Sequence, residues 1–397
     1  MPRLPLCLLL AAMPLPVLAD ASAELDALTL ADAAVSQPQS DSPLHGQLQL
    51  SRWQGSQWQG FASVRLDSVL QPGWRAVLAD RLDFRPQAGG PAQVNSLQEA
   101  YLSWQPSPAQ ALDVGRINPR GGVALGFNPL DVWRDSGLRA AVSTDPASAR
   151  DNRLGVVMLR AQQLYDGGSV GVLLAPALAG AANPAPWSPD WGSSNRRERW
   201  QLQASVAGSG SLRTQWLLAG GAGETLQPGV AASLLLGDAT TVYGEASASR
   251  RHDLAAGGAR RWRALGVLGL GYTAATRLTL HAEWHYNGQA LAAADWAALQ
   301  GQAYGRYRQA AQQAALAPTR QQWFLHAEWQ DFLRPGLVAT AMLRHDRVDD
   351  SRFFSTGLRW QGDRLALGVN AERGLGRQGS HYGSQALRWQ LFSNFYY

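Results

Sequence analysis

Two stretches gather side chains that could do chemistry. In LHAEWH, residues 280–285, His281, Glu283 and His285 stand at alternate positions, and FLHAEW, residues 324–329, places His326 and Glu328 the same way. Imidazole and carboxylate are ligands for divalent metals, and two such stretches joined by one hairpin would bring them together. A hydrogen-bonded polar network stiffening an inner wall uses the same residues, and a polar lumen needs such pairs in any case. That reading is preferred, so no metal, cofactor or catalytic residue is assigned. The second stretch is DVGRINPRGGVALGFNPLDVWRDSGLRAAVSTDPASARDN, residues 113–152. Its Asn-Pro steps and glycine pair read as irregular backbone. Its charges Arg116, Arg120, Asp131, Arg134, Asp135 and Arg139 would set a local field if they faced a pore.

These residues need elements to hold them. Thr276, Leu278, Leu280, Ala282, Trp284 and Tyr286 alternate with Arg277, Thr279, His281, Glu283 and His285, the two-residue period of a strand with one apolar face. The same pattern runs through 200–206, 321–331 and 364–372, and through the C-terminal WQLFSNFYY. In a soluble sandwich the apolar face points in; in a membrane barrel it points to lipid and the polar face lines the lumen. The segments are about 9–13 residues long, close to the length of tilted membrane strands. Aromatics close many apolar faces, as at Trp284, Tyr286, Trp360 and Trp389, and charges sit in mid-strand on the other face. These features select an all-β, transmembrane, antiparallel up-and-down barrel of about 18 strands, with 16 as the alternative. Short turns alternate with long connections at 118–152, 176–197, 252–259, 288–319 and 374–383, so one rim carries the long outer loops. The polar face then supplies a lumen wall of Arg213, Arg263, His281, Glu283, His285, His326, Glu328, Arg359 and Arg388. A last strand that reaches the final residue needs a partner, and closure against the segment around Leu48 and Leu50 provides one.

Composition agrees with export to a membrane. Residues 1–19 read as a cleaved signal peptide, with Arg3, an apolar Leu4 to Ala12 and Val17-Leu18-Ala19 before Asp20. Residues 20–44 form an acidic periplasmic segment, and 45–397 form the barrel. The single cysteine, Cys7, lies within the signal, so neither disulfides nor thiolate-metal sites hold the mature chain. No mature stretch offers the roughly 18 apolar residues of a membrane helix. The 16 tryptophans suit a membrane interface. The net charge of +5 comes with arginine alone and no lysine. A GC-rich genome or an arginine-lined path for anions or sugars would each produce that; the arginines are interspersed with acids, which argues against nucleic acid.

Gly115, Arg116, Asn128, Pro129 and Asp131, a strand ending Gly-Arg followed by Asn-Pro-Leu-Asp, resemble porin-like outer-membrane barrels of the alginate-export type. Glu283, Tyr286, Asn287 and Gly288 are similar to a strand-to-loop step of the same group. The resemblance implies a barrel fold and a channel role; Gly121-Gly122 stands where that group would show Trp-Gly. Trp389, Leu391, Phe395 and Tyr397 resemble the C-terminal signal read by the outer-membrane barrel assembly machinery, with Tyr in place of a final Phe. HYNG at 285–288 is similar to a His-Asn pair of outer-membrane phospholipases, but their Ser-Arg and Asn-Arg sets do not follow, and alternation turns His285 inward. GLGRQG at 374–379 has no helix after it and is no phosphate loop.

The expectation is a channel in a Gram-negative outer membrane, embedded in bilayer and lipopolysaccharide. It would pass a small polar or anionic solute or a polysaccharide, with the 118–152 loop folded inward to narrow the lumen. The alternatives are a non-conducting barrel docking a periplasmic partner through its acidic segment and, more remotely, a lipid hydrolase.

Overall fold

A computed structural model describes residues 42–85, 93–254, 260–383 and 385–397. Residues 1–19, read above as a signal peptide, and nearly all of the segment 20–44 lie outside the described residues. Strands β1 (Leu44–Trp53), β2 (Trp58–Gln71), β3 (Trp74–Phe84), β4 (Gln93–Ser107), β5 (Gln110–Ile117) and β6 (Val156–Tyr165) form the first third. Then come β7 (Gly168–Ala175), β8 (Arg199–Ala207), β9 (Leu212–Gly221), β10 (Gln227–Leu236), β11 (Thr240–Arg251) and β12 (Arg261–Thr273). The last third is β13 (Leu278–Asn287), β14 (Gln321–Trp329), β15 (Leu337–Asp346), β16 (Arg352–Gln361), β17 (Leu365–Leu375) and β18 (Gln385–Tyr396). Each pairs antiparallel with its sequence neighbours, and β1 pairs with β18, closing an 18-stranded barrel and excluding the 16-strand alternative.

Closure explains the aromatic terminus. Leu48 lies opposite Phe395 and Leu50 opposite Ser393. Gly46 and Tyr397 exchange backbone hydrogen bonds of 2.9 and 3.1 Å. Trp389, Leu391, Phe395 and Tyr397 all point outward and are exposed. A sheet closed in this way leaves no free edge along that seam.

The alternation reads as expected. Leu268, Leu270, Leu280, Trp323 and Leu325 are exposed on the outer face, whereas Glu245, Glu283, His285 and Gln322 are buried inside. The connections after even-numbered strands are short, and the long ones rise from the other rim. Four helices occur among the described residues: α1 (Pro146–Asp151), α2 (Trp191–Ser194), α3 (Ala293–Ala298) and α4 (Gly301–Gln313). All stand in the long connections.

Candidate functional site

The connection from β5 to β6 turns into the barrel and packs on the far wall. Its apolar side chains go to separate patches of inward-facing residues. Trp133 joins Ile117, Val156, Met158 and Leu173. Leu130 joins Leu217, Ala219 and Ala231. Ala124 and Phe127 meet Tyr243 and Val267, and Leu125 meets Phe324, Met342 and Phe353. Full burial of a side chain such as Leu130 or Trp133 contributes about 1.5–3 kcal/mol, so these contacts fix the loop more firmly than polar contacts alone could.

Polar contacts set its register. Glu245 on β11 accepts hydrogen bonds from the N–H groups of Val123 and of Ala124, the latter at 2.6 Å. Glu283 on β13 accepts from Leu125 N–H at 2.7 Å, Gly126 N–H at 2.9 Å and the Tyr243 hydroxyl at 2.7 Å. Its Oε2 also lies 2.7 Å from His285 Nε2. Two buried carboxylates thus grip successive backbone amides at the loop's tip. Gly122 makes the approach possible: its φ is +83°, and a Cβ there would sit 2.5 Å from Glu245 Oε1. Asn128 caps the next turn, its side-chain oxygen accepting from the amides of Leu130 at 3.1 Å and Asp131 at 3.2 Å. Further along, the Thr144 hydroxyl donates to Glu372 Oε1 on β17 at 2.8 Å.

Beside the loop a cavity of about 910 Å³ remains. Its walls are β1–β3 and β14–β18 on one side and residues 141–152 of the loop, including α1, on the other. Along β1 it is bordered from His45 near one rim to Trp53 near the other, roughly 26 Å at about 3.3 Å per residue. Its lining mixes polar and apolar side chains and carries both signs of charge, with Arg65, Arg359 and Arg364 and with Asp145, Asp151 and Glu328.

The residues singled out in the sequence fall into three groups. His326, Glu328 and Arg359 border this cavity. Arg213, Arg263, His281, Glu283, His285 and Arg388 also point inward, but away from it: Arg263 pairs with Asp253, and Arg388 with Glu372 at 2.8 Å. Arg213 sits at the short turn, bonded to the Leu212 carbonyl at 3.1 Å. In the third group, the loop charges hold the loop together rather than line the cavity. Asp131 pairs with Arg153 at 2.6 Å, Arg120 with Asp151 at 3.1 Å and Asp135 with Arg199 at 2.7 Å. Burial acts to raise the Asp135 carboxyl, but the adjoining Arg199 and Arg134 outweigh it and hold it below the usual range. Arg134 bonds the carbonyl of Asp131 at 3.2 Å, and Arg139 reaches over to the Ala185 carbonyl at 2.5 Å. Arg116 does not face the lumen. It shares the outward face of Val114, and the segment between β7 and β8 covers it: Arg116 bonds Ser194 Oγ at 3.0 Å and stacks on Trp191 of α2 at 4.5 Å.

Glu245 is the important residue that the sequence reading missed. The signal was present as apolar residues on an otherwise polar face: Met158, Leu217, Val267, Phe324 and Phe353 all point inward. Interior apolar side chains need a cover, and only a loop could bring one. The hydrolase reading meets a different arrangement, with His285 inward, bonded to Glu283 and stacked on Phe324 at 5.7 Å.

A closed antiparallel barrel with an apolar exterior, a polar interior and one loop folded through it is the architecture of outer-membrane porins. Neither a protein-family model nor a curated protein matches the chain. Solved structures do. OccK8 (OprE) of Pseudomonas aeruginosa is similar with a TM-score of 0.56 at 11% identity, over 90% of this chain and 98% of that one. OccAB2 of Acinetobacter baumannii gives 0.54 at 10% identity, over 89% and 97%. OccD3 (OpdP) of Pseudomonas aeruginosa gives 0.53 at 11% identity, over 89% and 90%. At such identities the likeness shows the fold. It supports the porin-like resemblance and does not single out the alginate-export type.

Proposed function

We propose that this chain is an outer-membrane channel for passive passage of a small polar or anionic solute, or of a carbohydrate. The observation that carries the reading is the cavity bordered along the length of β1, between a wall of mixed polarity and the infolded loop. A barrel built only as a scaffold has no need to keep a cavity of this size beside a packed loop. The loop sets the cross-section by its position, and its charges Arg120, Asp131, Arg134, Asp135 and Arg139 act indirectly, by holding it there. Charge filtering falls to the side chains on the passage: Arg65, Arg359, Arg364, Glu328 and Asp145. The porin fold supports a location in the Gram-negative outer membrane, in contact with bilayer and lipopolysaccharide. Export through a cleaved signal and assembly through the terminal strand belong to the same proposal. So does the absence of catalysis.

Single-channel current through the refolded chain in a planar bilayer tests it, in wild type and with residues 121–134 replaced by a short Gly-Ser linker. Steady current that rises in the variant supports a channel narrowed by the loop. Current only in the variant means a plugged or gated channel. Silence in both overturns the reading and leaves the non-conducting barrel, whose periplasmic partner would be sought through residues 20–44.

A further inference from the structure

The infolded loop covers many of the apolar side chains that point into the lumen, but not all of them. Trp53 on β1 and Phe392 and Tyr396 on β18 point inward, stay half-buried and border the cavity. Phe61 on β2 joins them, with the Arg81 guanidinium 3.5 Å from its ring centroid. In a watery lumen an uncovered ring costs free energy until apolar matter meets it. Polar, uncharged side chains fill the positions between the rings. Phe61 stands opposite Gln49, Tyr396 opposite Gln47, Trp53 opposite Gln390, and Ser51 between Phe392 and Gln59. From Gln47 to Trp53, and over the facing parts of β2 and β18, no charged side chain points inward.

These amides differ from others on the wall. Gln215 accepts from Gly122 N–H at 3.1 Å, Gln201 from the Trp133 indole at 2.7 Å and Gln322 from the Tyr382 hydroxyl at 3.3 Å, all in the service of loops. Gln47, Gln49 and Gln59 border the cavity and make no side-chain hydrogen bond among the described residues. The rings, by contrast, are held. A Cβ on Gly368 of β17 would stand 2.6 and 3.0 Å from Cε1 and Cε2 of Phe392, and nearer still to Cζ. One face of that ring therefore covers the glycine, and the other is turned to the cavity. Arg388, fixed by Glu372, lies 4.5 Å from the Trp53 centroid.

We propose that this band of rings and amides across β18, β1 and β2 is a guiding surface for an uncharged oligosaccharide, a reading that rests on the channel proposed above. A sugar ring has apolar C–H faces and a rim of hydroxyls. The electron-rich face of an aromatic ring attracts polarised C–H groups, and a free amide exchanges hydrogen bonds with hydroxyls in both directions. Water would satisfy the amides equally well, but it has no use for the rings; a solute with both kinds of surface meets both. The band extends roughly 20 Å along β1 at about 3.3 Å per residue, room for several linked sugars. An anion finds no ready partner beside it, since the adjoining Arg65 and Arg81 are committed to Glu99 and Asp83.

Binding does not depend on conduction, so it is measured separately. The refolded full-length protein, in a zwitterionic detergent, is titrated calorimetrically with maltotetraose, with cellotetraose and with the charged tetragalacturonate. Wild type is compared with W53L, F392L and Q47M/Q49M, which keep bulk while removing the rings or the amide groups. Retention of the compact, heat-modifiable barrel on gels establishes that each variant is folded. The expected result is saturable binding of at least one uncharged sugar, roughly fivefold weaker in each variant, with tetragalacturonate weaker still in wild type. No binding of either uncharged sugar overturns the proposal. So do equal affinities in wild type and all three folded variants, and so does tighter binding of tetragalacturonate. Where the wild type conducts, the sugar that binds is expected to interrupt its current saturably, and F392L to need roughly fivefold more of it. Binding without any effect on current overturns the band's place on the passage. Silence before any sugar is added instead counts against the channel reading.

Discussion

The grip of Glu283 on the loop gives the sharpest test of why the lumen has its shape. Its carboxylate is fully buried and meets the amides of Leu125 and Gly126, at 2.7 and 2.9 Å. A hydrogen bond to a charged group contributes about 1.5–3 kcal/mol net, so these two supply roughly 3–6 kcal/mol of loop attachment. Water reaching the lumen after the tip lifts recovers part of this, which brings the net to the lower figure. About 3 kcal/mol is roughly a hundredfold in the ratio of lifted to docked loop, at about 1.4 kcal/mol per tenfold. In E283A that factor is lost in full. E283Q is the more informative change. A Gln carries one oxygen and one NH₂, so whichever way it turns, a donor faces a donor: Leu125 N–H on one side, or Gly126 N–H on the other. E283Q is thus expected to loosen the tip almost as much as E283A, although it is nearly isosteric. The assay is single-channel recording, where both variants should show larger mean conductance and more open-state noise than wild type. Hydrogen exchange at 122–127 gives a second readout, with protection falling by one to two orders of magnitude. Wild-type noise and wild-type protection in a folded E283A barrel would falsify the claim that this carboxylate holds the loop.

Gly122→Ala should act in the same direction, because it places a Cβ against Glu245 at a φ of +83°; strain of about 1–3 kcal/mol should appear as faster exchange at 121–126 with the barrel intact. Arg116→Ala should leave conductance unchanged, since Arg116 lies outside the lumen beneath Trp191, but should expose the segment 176–197 to protease; altered ion selectivity would contradict that placement. Deleting Tyr397 removes the reciprocal bonds to Gly46 and should lower the yield of folded barrel while conductance per folded molecule stays the same. The outer loops should loosen in acid. Burial holds the His381 imidazole below its usual range, against the pull of Asp346. The unfolded loop then binds more protons than the folded one, so stability falls as pH drops below about 6.5. Exchange at 376–383 should accelerate between pH 7.5 and pH 5, and equal protection at both would contradict the sign.

How much of this could be read from the sequence follows from what each signal encodes. Two-residue alternation reports which face a side chain takes, and a barrel has only two faces; hence strand number, rim assignment and the inward set from Arg213 to Arg388 were legible. Arg116 shows the limit of using composition in place of period: Asp113 points inward, so the residue three further along must point out, and the charge-rich surroundings concealed it. The loop is a different case. Asp131, Arg134 and Asp135 look like a filter because they are charged and irregularly spaced, yet charges on a packed loop are first satisfied by neighbours, as Arg153 and Arg199 satisfy these acids. What held the loop was written on the wall, in Glu245 and Glu283 among the inward apolar residues Tyr243, Val267 and Phe324. An inward apolar residue in a watery lumen costs free energy unless something covers it, and a buried carboxylate costs more unless donors meet it. Where both costs fall on neighbouring strands, the missing partner must be backbone amides carried on an apolar segment. Residues 122–130, Gly-Val-Ala-Leu-Gly-Phe-Asn-Pro-Leu, are the segment in the long connections that supplies both.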